Sequence, residues 1–198
     1  QVLLERSGAT PAVLKGMIDT GIMKTCRQEV NRFLPPVSVP DVTLPGLSDA
    51  QTIALRNLRR EMGWHGVTLL RGVTGSGKTE IYSHLINEAL EHGDQVLFLV
   101  PEISLTTQLT FRLQKIFGKQ LLVYHSKFSD SERVDIWRRL LSSGSPVVVL
   151  GVRSSIFLPF SRLGLVVVDE EHESSYKQYD PAPRYNARDA AIMLASMH

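Results

Sequence analysis

The sequence predicts an α/β fold, a parallel sheet with helices on both faces, preceded by a smaller helical piece. Three observations predict it. Short apolar runs rich in Val and Leu recur through the second part of the chain, continuous rather than alternating, as strands buried on both faces read. Segments with apolar residues at helical spacing lie between the first four runs, and alternating strand and helix builds a parallel sheet. A stiff, proline-rich stretch, "LPPVSVPDVTLPG" from Leu34 to Gly46, separates this rhythm from the opening residues. The predicted organisation is a helical segment over 1–34, a linker over 35–46 and the α/β domain over 47–198.

In the opening segment Thr10 is placed to cap a helix and Pro11 to occupy its first position. Val13, Leu14, Met17 and Ile18 make one stripe, and Gly21 stops the helix. A preceding helix ending near Ser7-Gly8 makes this a helix-turn-helix, and "MKTCRQEVNRF" reads as a wing strand; a plain helical pair fits equally well. Lys15 is the one base-reading candidate on the second helix, so the segment suits packing or backbone contact better than sequence reading.

In the larger part, "SDAQTIALRNLRREM" is an amphipathic helix. The predicted strands are 67–70, 95–100, 121–125, 146–151 and 164–169. Between them, Ile81, Leu85 and Ala89 stack at helical spacing beside Tyr82, Ile86 and Leu90, with Gly93 as the stop. Leu105, Leu109 and Leu113 repeat the pattern, and Ser129 to Glu132 is a capping box ahead of Val134, Trp137 and Leu141.

Composition bounds the rest. Hydrophobic residues make up 43% and charged residues 21% of 198, so a packed core is expected. A net charge of +2 is too mild to point to nucleic acid by itself. Cys26 is the single cysteine, which excludes a disulfide framework or four-cysteine zinc site and suits the reducing cytoplasm. No apolar run approaches the ~20 residues that span a bilayer. The chain opens without a basic leader or an initiator methionine, the expectation being an excised piece of a cytoplasmic protein.

Gly72-Val73-Thr74-Gly75-Ser76-Gly77-Lys78-Thr79 fits G-x-x-x-x-G-K-[ST], follows an apolar run and opens an amphipathic helix. Glycines let backbone N–H groups turn around phosphate oxygens, and the helix N-terminus aims partial positive charge at the same anion. Lys78 is expected at the β- and γ-phosphates, and the Thr79 hydroxyl on Mg²⁺. Gly72, Thr74, Gly75, Ser76 and Gly77 line the cradle.

"LVVVDEEH" is a strand ending in Asp169-Glu170-Glu171-His172. Such residues at the carboxyl end of a parallel strand face the ligand crevice. Asp169 can hold Mg²⁺ through water, and Glu170 can orient and deprotonate the attacking water. His172 stands alone among carboxylates, which argues against a dedicated transition-metal site. No Asn-Lys-x-Asp guanine reader follows, and small-molecule kinases do not usually place Glu-x-His after this aspartate. A nucleic-acid-dependent ATPase fits best.

Asp-Glu-x-His after a P-loop resembles a superfamily 2 helicase of the DExH type, whose first motor lobe is a RecA-like sheet. "GVTGSGKTEIY", "LVPEISLT", "GVRSSIFLPF" and "DEEHESSYKQ…PRYNARDAA" together resemble the PriA family of bacterial primosomal replication-restart helicases, across 47–198. The opening segment resembles the end of that family's winged-helix domain. The resemblance implies a DNA-dependent ATPase that unwinds 3′ to 5′ and reloads the replication machinery. Its partners would be forked or single-stranded DNA, other primosome proteins and single-stranded-DNA-binding proteins. Lys78, Thr79, Asp169 and Glu170 would bind ATP and Mg²⁺ and serve hydrolysis, with His172 in coupling. Gln51 would sit near the adenine, although Ser48 to Gln51 is also a capping box.

Thr106, His125, Ser126, Arg153 and Ser154 fall in loops where such motors touch the strand backbone, and "ESSYKQYDPAPRYNARD" resembles the family's aromatic-rich loop, which couples DNA occupancy to hydrolysis. There Tyr176, Tyr179 and Tyr185 interleave with Lys177, Arg184 and Arg188, a mixture that stacks bases and grips phosphates. Asn186 to Asp189 also reads as a helix start. Thr107, Val152 and Asn186 depart from the family's usual proline, threonine and histidine; Val152 removes a possible phosphate-contacting hydroxyl. The resemblance places an arginine finger, the remaining motifs and zinc-binding cysteines in a second lobe, so the 198 residues alone are expected to turn over ATP hardly at all. Another superfamily 2 translocase, or a nucleotide-gated scaffold, is the alternative.

Overall fold

The computed structural model describes residues 10–24, 43–73, 75–125, 128–142 and 145–198. The chain divides into two compact units, Gln1–Arg32 and Phe33–His198.

In the first unit, helix α1 spans Pro11–Asp19. It starts where expected, but the Thr10 side chain makes no capping hydrogen bond; proline at the first position, with its fixed φ, sets the start. The Thr20 hydroxyl closes the other end by donating to Gly16 O at 2.8 Å. Gly21 follows at φ 77°, where glycine is favoured. The expected preceding helix, the wing strand with Cys26 and most of the proline linker lie outside the described residues.

In the second unit, helices α2 (Asp49–His65) and α3 (Lys78–Glu91) precede β1 (Gln95–Leu99), α4 (Thr107–Phe117), β2 (Leu121–Tyr124), α5 (Asp130–Ser142), β3 (Val148–Gly151), β4 (Leu163–Val168) and α6 (Ala187–Ser196). The strands pair in parallel, in the order β2-β3-β1-β4. Side chains alternate across a strand, so each run feeds two cores. Val96, Phe98 and Val100 pack with Ile81, Ile86 and Leu113 from α3 and α4 and with Leu55 from α2. Leu97, Leu99 and Val149 pack on the other face with Ile136 and Leu140 of α5 and Ala187 and Ala191 of α6. This is the predicted parallel sheet with helices on both faces.

Two expectations are corrected. Residues 67–70 form no strand, and Val67 and Leu69 are 58% and 73% exposed. An apolar run reports a wish for burial, but a strand also needs a neighbour's ladder, and among the described residues none pairs with this segment. On α5 the capping box forms, with Ser129 N donating to Glu132 Oε2 at 2.8 Å, yet Val134, Trp137 and Leu141 lie exposed. The buried pair is Ile136 and Leu140, one turn apart on the face turned to the sheet.

Candidate active site

The site collects at the carboxyl ends of the strands, where α/β sheets bind ligands. The P-loop turns into α3 through Gly75 and Gly77 at φ 79° and 81°, conformations that glycine adopts without a Cβ penalty. A Cβ on Gly77 would collide with the Gln51 amide nitrogen, and one on Gly72 would lie 2.8 Å from Ser76 Oγ. The loop is thus packed on itself only because these positions are bare. Thr74 and Ser126 lie outside the described residues.

Lys78 turns back over the loop. Its Nζ donates to Gly72 O at 2.9 Å and to Val73 O at 3.4 Å, and lies 3.7 Å from Glu170 Oε1. A cation held over carbonyls at a helix N-terminus is placed to meet phosphate oxygens. Gln51 forms the predicted capping box and also reaches the P-loop. Its carbonyl oxygen accepts from Ser48 N at 2.8 Å in the capping box, while its Nε2 donates to Gly77 O at 3.3 Å. The cap of α2 therefore braces the last glycine of the P-loop.

Past β4, Asp169 N extends the ladder by donating to Leu99 O at 2.9 Å. Its carboxylate receives the Tyr82 hydroxyl at 3.4 Å, and its backbone carbonyl receives the Tyr176 hydroxyl at 2.6 Å. Burial first, and the neighbouring Glu170 charge second, hold the Asp169 carboxyl above the usual range, with Lys78 opposing. A desolvated carboxylate held against α3 by the Tyr82 hydroxyl fits a divalent cation, whose charge would favour the ionised form. Thr79 and Asp169 are the residues here that could hold Mg²⁺. No group of three or more His, Cys, Asp or Glu suited to a metal occurs among the described residues; Mg²⁺ commonly needs only one or two protein ligands beside phosphate and water.

Glu170 has a left-handed backbone, φ 47°, the one described non-glycine residue with positive φ. That conformation costs an L-residue roughly 1–3 kcal/mol. It sets the carboxylate between Lys78 and His172, with His172 Nε2 at 3.7 Å from Glu170 Oε2. His172 is mostly exposed beyond that contact.

Among the described residues, the expected strand-contact side chains differ in availability. The Thr106 hydroxyl caps α4, accepting from Leu109 N at 3.2 Å. His125 packs on Phe128 with ring centroids 4.0 Å apart. Ser154 is half-buried. Arg153 points into the loop after β4, where its Nη1 donates to Lys177 O at 2.9 Å and to Ser175 O at 3.4 Å. Those carbonyls flank Tyr176, which is 1% exposed. The base-stacking expectation for Tyr176 is therefore corrected: stacking needs an open ring face, and this ring is in the core. Tyr179 is 67% exposed and Arg184 is exposed, while Lys177 and Tyr185 are half-buried. Arg188 pairs with Glu171 at 2.9 Å, and Asn186 caps α6 through Arg188 N at 3.0 Å.

Sequence reasoning passed over three side chains. Tyr82 read only as the flank of an apolar stripe. Glu80, paired with Arg112, links the P-loop helix to α4. Phe157, exposed after β3, packs on Tyr185. Nothing in local spacing distinguishes these from ordinary surface or core residues.

A P-loop at the head of one helix, with an acidic strand end close to its lysine on a parallel sheet, defines the class of P-loop nucleotide-binding domains. Residues 48–196 match the DEAD/DEAH box helicase family, and the chain belongs to it. Use of ATP goes with that family. The chain is 42% identical to replication restart protein PriA of Bacillus subtilis over 99% of its own length and 24% of that protein. It is 41% identical to the PriA of Synechocystis over 98% of the chain and 23% of that protein, and 49% identical to that of Haemophilus influenzae over 75% and 20%. The chain thus spans about a quarter of the length of these relatives. Among the described residues no helix is long and apolar enough to cross a membrane.

Proposed function

We propose that this chain supplies the ATP-binding motor lobe, residues 47–198, of a cytoplasmic 3′-to-5′ DNA helicase that restarts stalled replication forks, preceded by a partial winged-helix segment and a proline-rich linker. The observation that carries the reading is the meeting of Lys78, Asp169 and Glu170 at one strand edge, with Lys78 Nζ 3.7 Å from Glu170 Oε1. The PriA relatives support the choice of DNA and of replication restart.

In this reading the P-loop N–H groups and the α3 N-terminus bind the triphosphate, and Lys78 leaves its carbonyl partners for the β- and γ-phosphates. Thr79 and Asp169 would hold Mg²⁺, which when bound would neutralise charge on the phosphates. Glu170 orients the attacking water and takes its proton. His172, within reach of Glu170, passes the state of the strand to that carboxylate. Thr106, His125, Ser126, Arg153, Ser154, Lys177 and Arg184 contact the strand, mostly its phosphates and without reading sequence. Other primosome proteins and single-stranded-DNA-binding proteins are its partners.

The test is ATP hydrolysis by the complete protein with forked DNA, blunt duplex, single-stranded RNA or nothing added. Strong stimulation by forked or single-stranded DNA, lost in Lys78→Ala, is expected. A flat response across all four would replace the motor with a nucleotide-gated scaffold.

A further inference from the structure

The turn after β3, Arg153–Phe157, buries Ser155 and Ile156, and the chain beyond it buries Leu158 and Phe160. Phe157 is the exception, with 56% of its surface in solvent. Its neighbours reach the core, so its exposure is not forced by a polar or poorly packed segment. The ring meets Tyr185 edge to face, with centroids 5.0 Å apart and planes at 77°. Tyr185 comes from the loop before α6; burial raises its hydroxyl pKa, and the charge of the nearby Arg153 guanidinium opposes that rise. Arg153 in turn holds Lys177 O at 2.9 Å.

One surface therefore joins two aromatic rings from different loops near the Arg153 guanidinium, and the chain beside it carries Lys177 and Arg184. An open aromatic face beside cations suits a polyanion that carries flat bases, because stacking satisfies the ring while the cations neutralise phosphates. A purely apolar partner would leave those cations desolvated without counter-charge.

We propose that Phe157, braced by Tyr185, is a stacking platform for one base of a single DNA strand crossing the ends of β3 and β4. This rests on the strand-binding reading above and adds a residue and a mode of contact to it.

The experiment uses the complete protein and fluorescence anisotropy with a labelled single-stranded oligonucleotide, alongside a set carrying one abasic site moved along the strand. Base stacking of this kind is expected to be worth about 5- to 150-fold in affinity. Phe157→Ala should lose that factor, Phe157→Trp should keep it, and one abasic position should weaken the unaltered protein but not Phe157→Ala. Phe157→Leu, which preserves apolar packing without a π-face, should behave like alanine and guards against a folding defect. Full affinity in Phe157→Leu, or equal losses with and without the abasic site, would overturn the platform while leaving strand binding intact. Failure of the unaltered protein to bind any strand would overturn both readings.

Discussion

The two ends of Asp169 face two differently built regions. On the carboxylate side the P-loop, Lys78, Gln51 and Glu170 form a compact cluster in which glycines at 72, 75 and 77 let backbone do the binding. On the carbonyl side, the loop of residues 173–186 is held by side chains reaching inward: Tyr176 to Asp169 O, and Arg153 to the carbonyls on either side of Tyr176. Glycine-permitted backbone shapes the nucleotide region; the loop region is tied down largely by side chains, Arg153, Tyr176 and Gln178 among them. A phosphate cradle must be nearly invariant in shape, whereas a surface for a flexible strand needs only an anchored base with open tips such as Tyr179.

The comparison can be broken from either side. The largest effect is expected at Glu170→Gln. It should leave nucleotide affinity near normal and lower turnover by the complete protein about 10²–10⁴-fold, the usual range for a lost general base; unchanged turnover would move the base elsewhere. Lys78→Ala should lower turnover about 10²–10³-fold, as when a charge-stabilising donor is removed. Unlike the Glu170 change, it should also weaken nucleotide binding by calorimetry.

On the loop side, Tyr176→Phe leaves the part-buried Asp169 carbonyl without its donor, a loss of about 1–3 kcal/mol. The corresponding fall in Tm is roughly 2–10 °C for a domain of this size. Tyr179→Phe, on the open tip, should shift stability by no more than about 0.5 kcal/mol. Equal melting curves for the two variants would mean that Tyr176 does not anchor the loop. Smallest of all, Ser48→Ala removes the capping box of α2 for about 1 kcal/mol, readable as a small drop in the urea midpoint. Because Gln51 also braces Gly77, a measurable loss of nucleotide affinity should accompany it.

Much of this was legible beforehand, for reasons that differ by region. The P-loop and Asp169-Glu170 could be read because phosphate chemistry dictates residue type and spacing together. The strands at 95–100 and 146–151 could be read because burial on both faces leaves no polar position. Residues 67–70 gave the same apolar signal without a ladder partner, and pairing is not written in a single segment. Trp137 against Ile136 shows a similar limit on α5: both are apolar, and only the tertiary position of the helix decides which faces the sheet. Tyr176 and Tyr179 stand three residues apart in one loop and end up 1% and 67% exposed. Composition could name the aromatic mixture but not sort it. The capping box of Gln51 was legible, whereas its amide's bond to Gly77 O was in neither reading, because nothing local ties two residues so far apart in sequence.

The left-handed backbone at Glu170 has a consequence for how this sequence drifts. A glycine there would relax the φ of 47° and steady the fold, so selection for durability alone would erase the carboxylate. With Glu170 as the proposed base, its presence marks a position where stability and activity pull in opposite directions. Laboratory selection for heat resistance would be expected to discover that trade quickly, yielding proteins that last longer and do less.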